Sequence, residues 1–147
     1  MRGSQDALRL VLRIDGWSTA VFGVVLLALA RPLSPLLGLP VSWAVPFGVA
    51  MLGGAAALGL LAAFPRIPAR FAAMAVAGNA ISAVSMVALA FSPVLPLTGL
   101  GVAFVLLGAV TVGVYAGLEY AGLRRVTAPG GRGAVPGSVQ EPDTAAR

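Results

Sequence analysis

Cysteine, histidine and lysine are all missing from this 147-residue chain, and acids are scarce: Asp6, Asp15, Glu119, Glu141 and Asp143 are the whole set. Without cysteine there is no disulfide and no thiolate ligand. Without histidine there is no imidazole ligand and no histidine general base. Glu141 and Asp143 fall in a Gly- and Pro-rich tail, so the several convergent carboxylates of an oxygen-only metal cage are not available. The expectation is a protein with no metal, no cofactor and no enzymatic activity. Catalysis would have to proceed without His, Cys or Lys and with scarcely one buried acid.

Charge as a whole is also in short supply. Only 10% of residues are charged and 59% are hydrophobic, with a mean hydropathy of +0.95. Soluble domains carry roughly 25% charged residues, so a water-facing surface cannot be assembled from this inventory. The solvent for most of the chain is lipid. All ten basic residues are arginine, a bias that, with the abundant Ala, Gly and Val, reflects a GC-rich genome. The net charge of +5 does not indicate nucleic acid. The arginines flank apolar segments, as membrane orientation requires, and do not interleave with aromatics as in a strand-binding groove.

Four apolar segments stand out, Leu10–Ala30, Trp43–Phe64, Phe71–Phe91 and Leu97–Tyr120. Each is close to the ~20 residues that cross a hydrocarbon core, and in lipid only helices satisfy their own backbone in this way. The predicted fold is an all-α integral membrane bundle of four transmembrane helices within residues 1–125, followed by a disordered tail, 126–147, too poor in large apolar residues to build a core. The links "RPLSPLLGLPVS", "PRIPAR" and "SPVLP" all contain proline, which stops helices. "SPLLG" (34–38) and "SPVLP" (92–96) each read as a serine N-cap, a proline at the first helical position and one short turn. "PLSPLLGL" and "PVLPLTGL" share five of eight residues, the trace expected from a duplicated helical hairpin.

Orientation follows from the arginines. With the N-terminus cytoplasmic, Arg2, Arg9, Arg13, Arg66, Arg70, Arg124, Arg125, Arg132 and Arg147 lie inside and Arg31 alone lies outside. Both termini are therefore expected in the cytoplasm. A cleaved signal peptide is the competing reading of the first segment, with "ALA" at 28–30 as the cleavage site; Asp15 within the run and Arg31-Pro32 after the cut argue against it. Trp17, Trp43, Phe64, Phe71, Phe91 and Tyr120 are expected near segment ends as interfacial anchors.

Polar residues inside the segments are few enough to place one by one. At about 1.5 Å per residue, Asn79, Thr111, Ser18 and Thr19 all fall roughly 12–13 Å from the cytoplasmic side. Thr111, Tyr115 and Glu119 recur every four residues; Asp15, Ser18 and Thr19 share a helix face; Asn79 and Ser82 are neighbours. Turned inward, these eight residues make a polar seam. Asn79 reads as a hydrogen-bonding tie between helices or as a contact for a solute or ion. Asp15, the one carboxylate expected below the headgroups, is a functional candidate, a partner of Arg124 or Arg125, or a residue wetted at the interface. Arg13 snorkels. Glu119 is expected at the boundary, solvated or arginine-paired.

The second segment, Trp43–Phe64, has no polar side chain at all. Its small residues at four-residue spacing (Ala50 and Gly54; Gly53 and Ala57; Ala55, Gly59 and Ala63) permit close helix contact. The fourth carries Ala109, Gly113 and Gly117 opposite its polar stripe. One such face can pack inside the bundle, leaving another for a homodimer or a different membrane protein.

At "LLGLP" (36–40), "GN" (78–79) and "EYAGLRR" (119–125) the chain resembles a group of short, uncharacterised four-helix bacterial membrane proteins, over about Leu8 to Arg125. That resemblance implies the four-helix architecture and a multi-pass home in the bacterial cytoplasmic (inner) membrane, and assigns no activity to any residue. Four spans are also similar to the small multidrug resistance transporters, whose first helix carries a deep acidic residue; Asp15 is expected too near the cytoplasmic edge to match it. The leading functional expectation is a non-enzymatic accessory or assembly subunit. The alternative is a small-solute or ion transporter or channel acting as an oligomer, with Asp15, Asn79, Thr111 and Tyr115 along its path.

Overall fold

The computed structural model describes residues 2–128. Five helices follow one another: α1 (Arg2–Ala28), α2 (Ala30–Leu37), α3 (Val41–Ala63), α4 (Ala69–Phe91) and α5 (Gly99–Thr127). The fold is an all-α bundle in which α1, α3, α4 and α5 are long and apolar enough to cross a membrane. Large apolar side chains point outward all along them, Leu60, Val84 and Trp17 among the most exposed. Patches of this extent do not face water in a stable monomer. The chain is a multi-pass membrane protein.

The helices pair as two hairpins. α1 packs along α3, α4 packs along α5, and the hairpins join through α1 and α5. α3 and α4, though consecutive, scarcely touch beyond the Phe64 and Phe71 rings, 6.2 Å apart across their link. Lipid tails are as apolar as leucine, so close packing rather than water exclusion drives this association. The α1–α3 contact is close for that reason: a Cβ at Gly23 would stand 3.1 Å from the Gly48 carbonyl oxygen.

Two apolar clusters occupy the two ends. At the arginine-rich end, Leu8 and Leu12 meet Leu58, Leu61 and Ala62 of α3, Ala72 of α4 and the side of α5 at Leu123 and Val126. Because Leu8 and Leu12 are fully buried, α1 is an integral part of the bundle. At the other end, Leu26, Ala30, Leu37, Leu39, Ala44 and Leu95 pack together.

The first link departs from its expected form. Residues 30–37 are the helix α2, nearly continuous with α1 and set off by Leu29 at φ −106°, ψ 14°. Ser34 and Pro35 therefore lie inside a helix and do not begin one. Ser92 ends α4, its hydroxyl donating to the Leu89 carbonyl, and a turn rather than a helix follows. Neither serine is an N-cap: α2 has already begun at Ala30 when the chain reaches Ser34, and Ser92 closes α4. The cap is Thr98, whose Oγ1 accepts from the Gly101 amide at 3.1 Å and donates to the Leu36 carbonyl at 2.6 Å. The Thr98 amide also donates to the Leu37 carbonyl at 3.0 Å, fastening α2 to the start of α5.

Other boundaries shift too. α1 begins at Arg2 and α5 runs to Thr127, because the apolar stripe of each continues past its arginines. Val126 and Thr127, expected to open a disordered tail, are helical, and Val126 packs on the core. The remainder of that expected tail, from residue 129, lies outside the described residues. Trp17, expected near a segment end, is 75% exposed in the middle of α1.

Candidate functional site

On α1, Leu8, Leu12, Asp15, Thr19 and Leu26 lie on one face at helical spacing. The leucines fill the apolar clusters at the two ends, so Asp15 and Thr19 fall between them. Asn79 on α4 and Glu119 on α5 occupy the same stretch. Asp15 and Glu119 are each 1% exposed, and Asn79 is half-buried.

One atom joins the three helices. Nδ2 of Asn79 donates to Asp15 Oδ2 at 2.7 Å and to Glu119 Oε2 at 3.1 Å. A carboxamide nitrogen has two hydrogens, one for each carboxylate. Asp15 Oδ1 accepts from the Thr19 hydroxyl at 3.1 Å, so both its oxygens are engaged. Glu119 Oε1 is buried and has no hydrogen-bond partner.

The two carboxylate oxygens can be no farther apart than the two bonds to Nδ2, 2.7 and 3.1 Å, laid end to end. At an effective dielectric of about 20, unit charges at that range repel by roughly 3 kcal/mol. Among the described residues the only ion pair is Asp6–Arg9, at 3.1 Å, and it is elsewhere. The Asn79 NH2 group, placed between the two carboxylates, offsets part of that repulsion.

Two expectations are corrected here. Asp15 pairs with Asn79 and Thr19, not with Arg124 or Arg125. Glu119 is not a boundary residue, because α5 continues eight residues past it, roughly 12 Å at the helical rise. Arg124 and Arg125 occupy the last turn of α5, where cations suit the helix dipole and their stems can reach outward.

The rest of the expected seam does not converge on this point. Ser18 donates to its own helix at the Asp15 carbonyl, 2.9 Å away. Thr111 donates to the Leu107 carbonyl one turn back, at 2.9 Å. Ser82 is exposed, and Tyr115 is half-buried one turn from Glu119. The physical reason is drift. Four residues advance a helix by 400°, so Thr111, two such steps from Glu119, is turned about 80° away.

Sequence reasoning missed a second polar site. Arg9 donates from Nε to the Ala62 carbonyl at 3.1 Å and from Nη2 to the carbonyls of Phe64 and Pro65 at 3.0 and 3.1 Å. Asp6 steadies it from one turn earlier. Gln5 accepts from the Ile67 amide at 3.2 Å. Arg9 thus caps the C-terminus of α3, which exposes unpaired carbonyls. Its signal was the apolar stripe running back through Leu12 and Leu8, which carries the helix beyond Leu10.

Neither any family model, nor any curated protein, nor any solved structure matches the chain.

Proposed function

We propose that the protein is a non-enzymatic accessory or assembly subunit of a bacterial inner membrane, both termini cytoplasmic, its recognition elements being helix faces. One observation carries this reading. α3 has two rows of small residues. Ala44, Gly48 and Ala55 are buried, whereas Ala50, Gly53, Gly54 and Ala57 are exposed, with open space beyond both glycines. A small-residue row of this kind lets a second backbone approach closely. The occupant proposed is a transmembrane helix of a different membrane protein.

The test is extraction of the tagged chain from its own host in mild detergent, followed by native mass spectrometry. A second subunit at fixed stoichiometry, lost in Gly54→Leu, is the expected result. A bare monomer or homodimer would sink the reading.

A transport role as an oligomer is the second reading, and the observation favouring it is that Asp15 and Glu119 share one carboxamide in mid-bundle. Buried ionisable groups of this kind mark ion and proton paths. Under the accessory reading Asp15→Asn keeps its partner bound. Under the transport reading the same variant abolishes flux in proteoliposomes.

A further inference from the structure

The outer side of α1 is covered by no other helix of the chain. Two ridges run along it at four-residue spacing, Arg13–Trp17–Val21 and Ile14–Ser18–Phe22, and together they line a groove of about 440 Å³. All these side chains are exposed except Ser18, which is half-buried and forms the floor. The Ser18 hydroxyl is turned back to the Asp15 carbonyl at 2.9 Å, so beyond Arg13 the groove is apolar apart from the indole N–H of Trp17.

Arg13 stands at one end of this groove, and its charge is unanswered. Arg9 bonds the carbonyls where α3 ends; Arg13 is one turn farther in, roughly 6 Å at the helical rise. Three arginines near that end have partners. Arg9 has Asp6 at 3.1 Å, and Arg70 and Arg124 lie over the rings of Phe71 and Tyr120, 4.6 and 5.9 Å from their centroids. Arg13 has neither a carboxylate nor a ring among the described residues. Asp15 is about 200° away around the helix and bonded to Asn79 and Thr19. A lipid-facing arginine is costly to hold unless its stem carries the guanidinium out to an anion. Phosphate oxygens match its paired N–H donors.

We propose that this groove binds one anionic phospholipid of the leaflet at the arginine-rich end, its phosphate on Arg13 and one acyl chain laid between the ridges toward Val21 and Phe22. Trp17, one turn deeper than Arg13, falls at the level of the glycerol esters, where its N–H has an acceptor. That accounts for a tryptophan 75% exposed inside α1 and not at its end. A zwitterionic headgroup is disfavoured, because its ammonium adds positive charge beside a guanidinium that the chain leaves unneutralised. A second helix is also a poor occupant. Close helix pairing in lipid uses small residues, and Trp17, Val21 and Phe22 hold another backbone away. The site goes beyond the accessory reading and shares none of its α3 surface.

The experiment uses the full chain carrying Trp43→Phe, which leaves Trp17 as its one tryptophan, in vesicles of mixed phosphatidylglycerol and phosphatidylcholine. One lipid or the other carries bromine on its acyl chains at the same mole fraction, and quenching of Trp17 fluorescence reads which of them occupies the groove. Phosphatidylglycerol is expected to be preferred about fivefold, the factor by which one basic residue attracts an anionic headgroup. Arg13→Gln removes the preference, and Ser18→Leu, which fills the groove and keeps the charge, weakens it. Arg125→Gln, at the same end of the bundle but outside the groove, retains it. Equal quenching by the two lipids in the parent, a preference that survives Arg13→Gln or Ser18→Leu, or one that falls as far in Arg125→Gln would each overturn the site. So would a Trp17 shielded from both brominated lipids, the outcome if a second copy of the chain covers α1.

Discussion

At the scale of single residues, the arrangement around Asn79 determines the sign of two substitutions. Side-chain hydrogen bonds inside membranes average about 0.6 kcal/mol, but bonds to charged groups reach about 1.5–3 kcal/mol. Asn79 serves two carboxylates, and its truncation strands both. Asn79→Ala is expected to destabilise the bundle by about 2 kcal/mol, measured by reversible unfolding in mixed micelles. Glu119→Gln goes the other way. It keeps the shape, removes one of two mutually repelling acids, and should leave stability unchanged or higher. Combining the two should recover part of the Asn79→Ala loss, a coupling that a double-mutant cycle reads directly. Asp15 was legible as a candidate because it interrupts an apolar run. Glu119 was misplaced because Tyr120 and the arginines after it look like the end of a span, although Ala109, Ala116 and Glu119 already keep the heptad-like spacing of a buried stripe.

Between elements, the two ends of the bundle are held by different devices. At the arginine-rich end Arg9 spans the carbonyls of Ala62, Phe64 and Pro65. Arg9→Ala should cost about 1 kcal/mol, as a lost helix cap does, and should speed hydrogen exchange at the amides of residues 62–67. Arg9→Lys restores little of this, because an ammonium is a point donor and cannot fork to three carbonyls. At the opposite end Gly38 is left-handed, at φ 64°, and a Cβ there would run into the Pro96 carbonyl. Gly101 likewise stands against the Leu37 carbonyl. An L-residue in the left-handed region costs roughly 1–2 kcal/mol, so Gly38→Ala should lower the melting temperature in detergent. Gly101→Ala should lower it further, since Leu37 cannot retreat without breaking the bonds from Thr98. The likeness of "PLSPLLGL" to "PVLPLTGL" suggested two equivalent turns. In the structure the first forms the end of α2 and the second leads into α5, and the two are bonded to each other.

For the whole molecule, most apolar side chains face outward, so lipid supplies the environment that a water-soluble domain would have to build internally. Few large side chains are fully buried, and stability rests on close backbone approach and a few polar ties. A substitution on the outer row of α3 therefore has little to disturb within the chain. Gly54→Leu meets open space and should leave the melting temperature unchanged while abolishing recovery of a partner. A loss of stability in the isolated chain would place that row inside the bundle and contradict the assembly reading.

Composition and periodicity by themselves determined the solvent, the helical class and the four long segments, because backbone in lipid must satisfy itself within each helix. The same local physics marked Asp15 and Asn79 as out of place. Only the tertiary structure decided which polar groups meet. Rotation about a helix axis turns Ser82 and Thr111 away from a seam to which simple depth had assigned them. The extra turns of α5 carry Glu119 inward to Asn79, and the backward extension of α1 brings Arg9 onto the end of α3. Depth along a helix can be counted from the chain; azimuth and the pairing of helices depend on how neighbouring backbones pack, and that is a property of the assembled bundle.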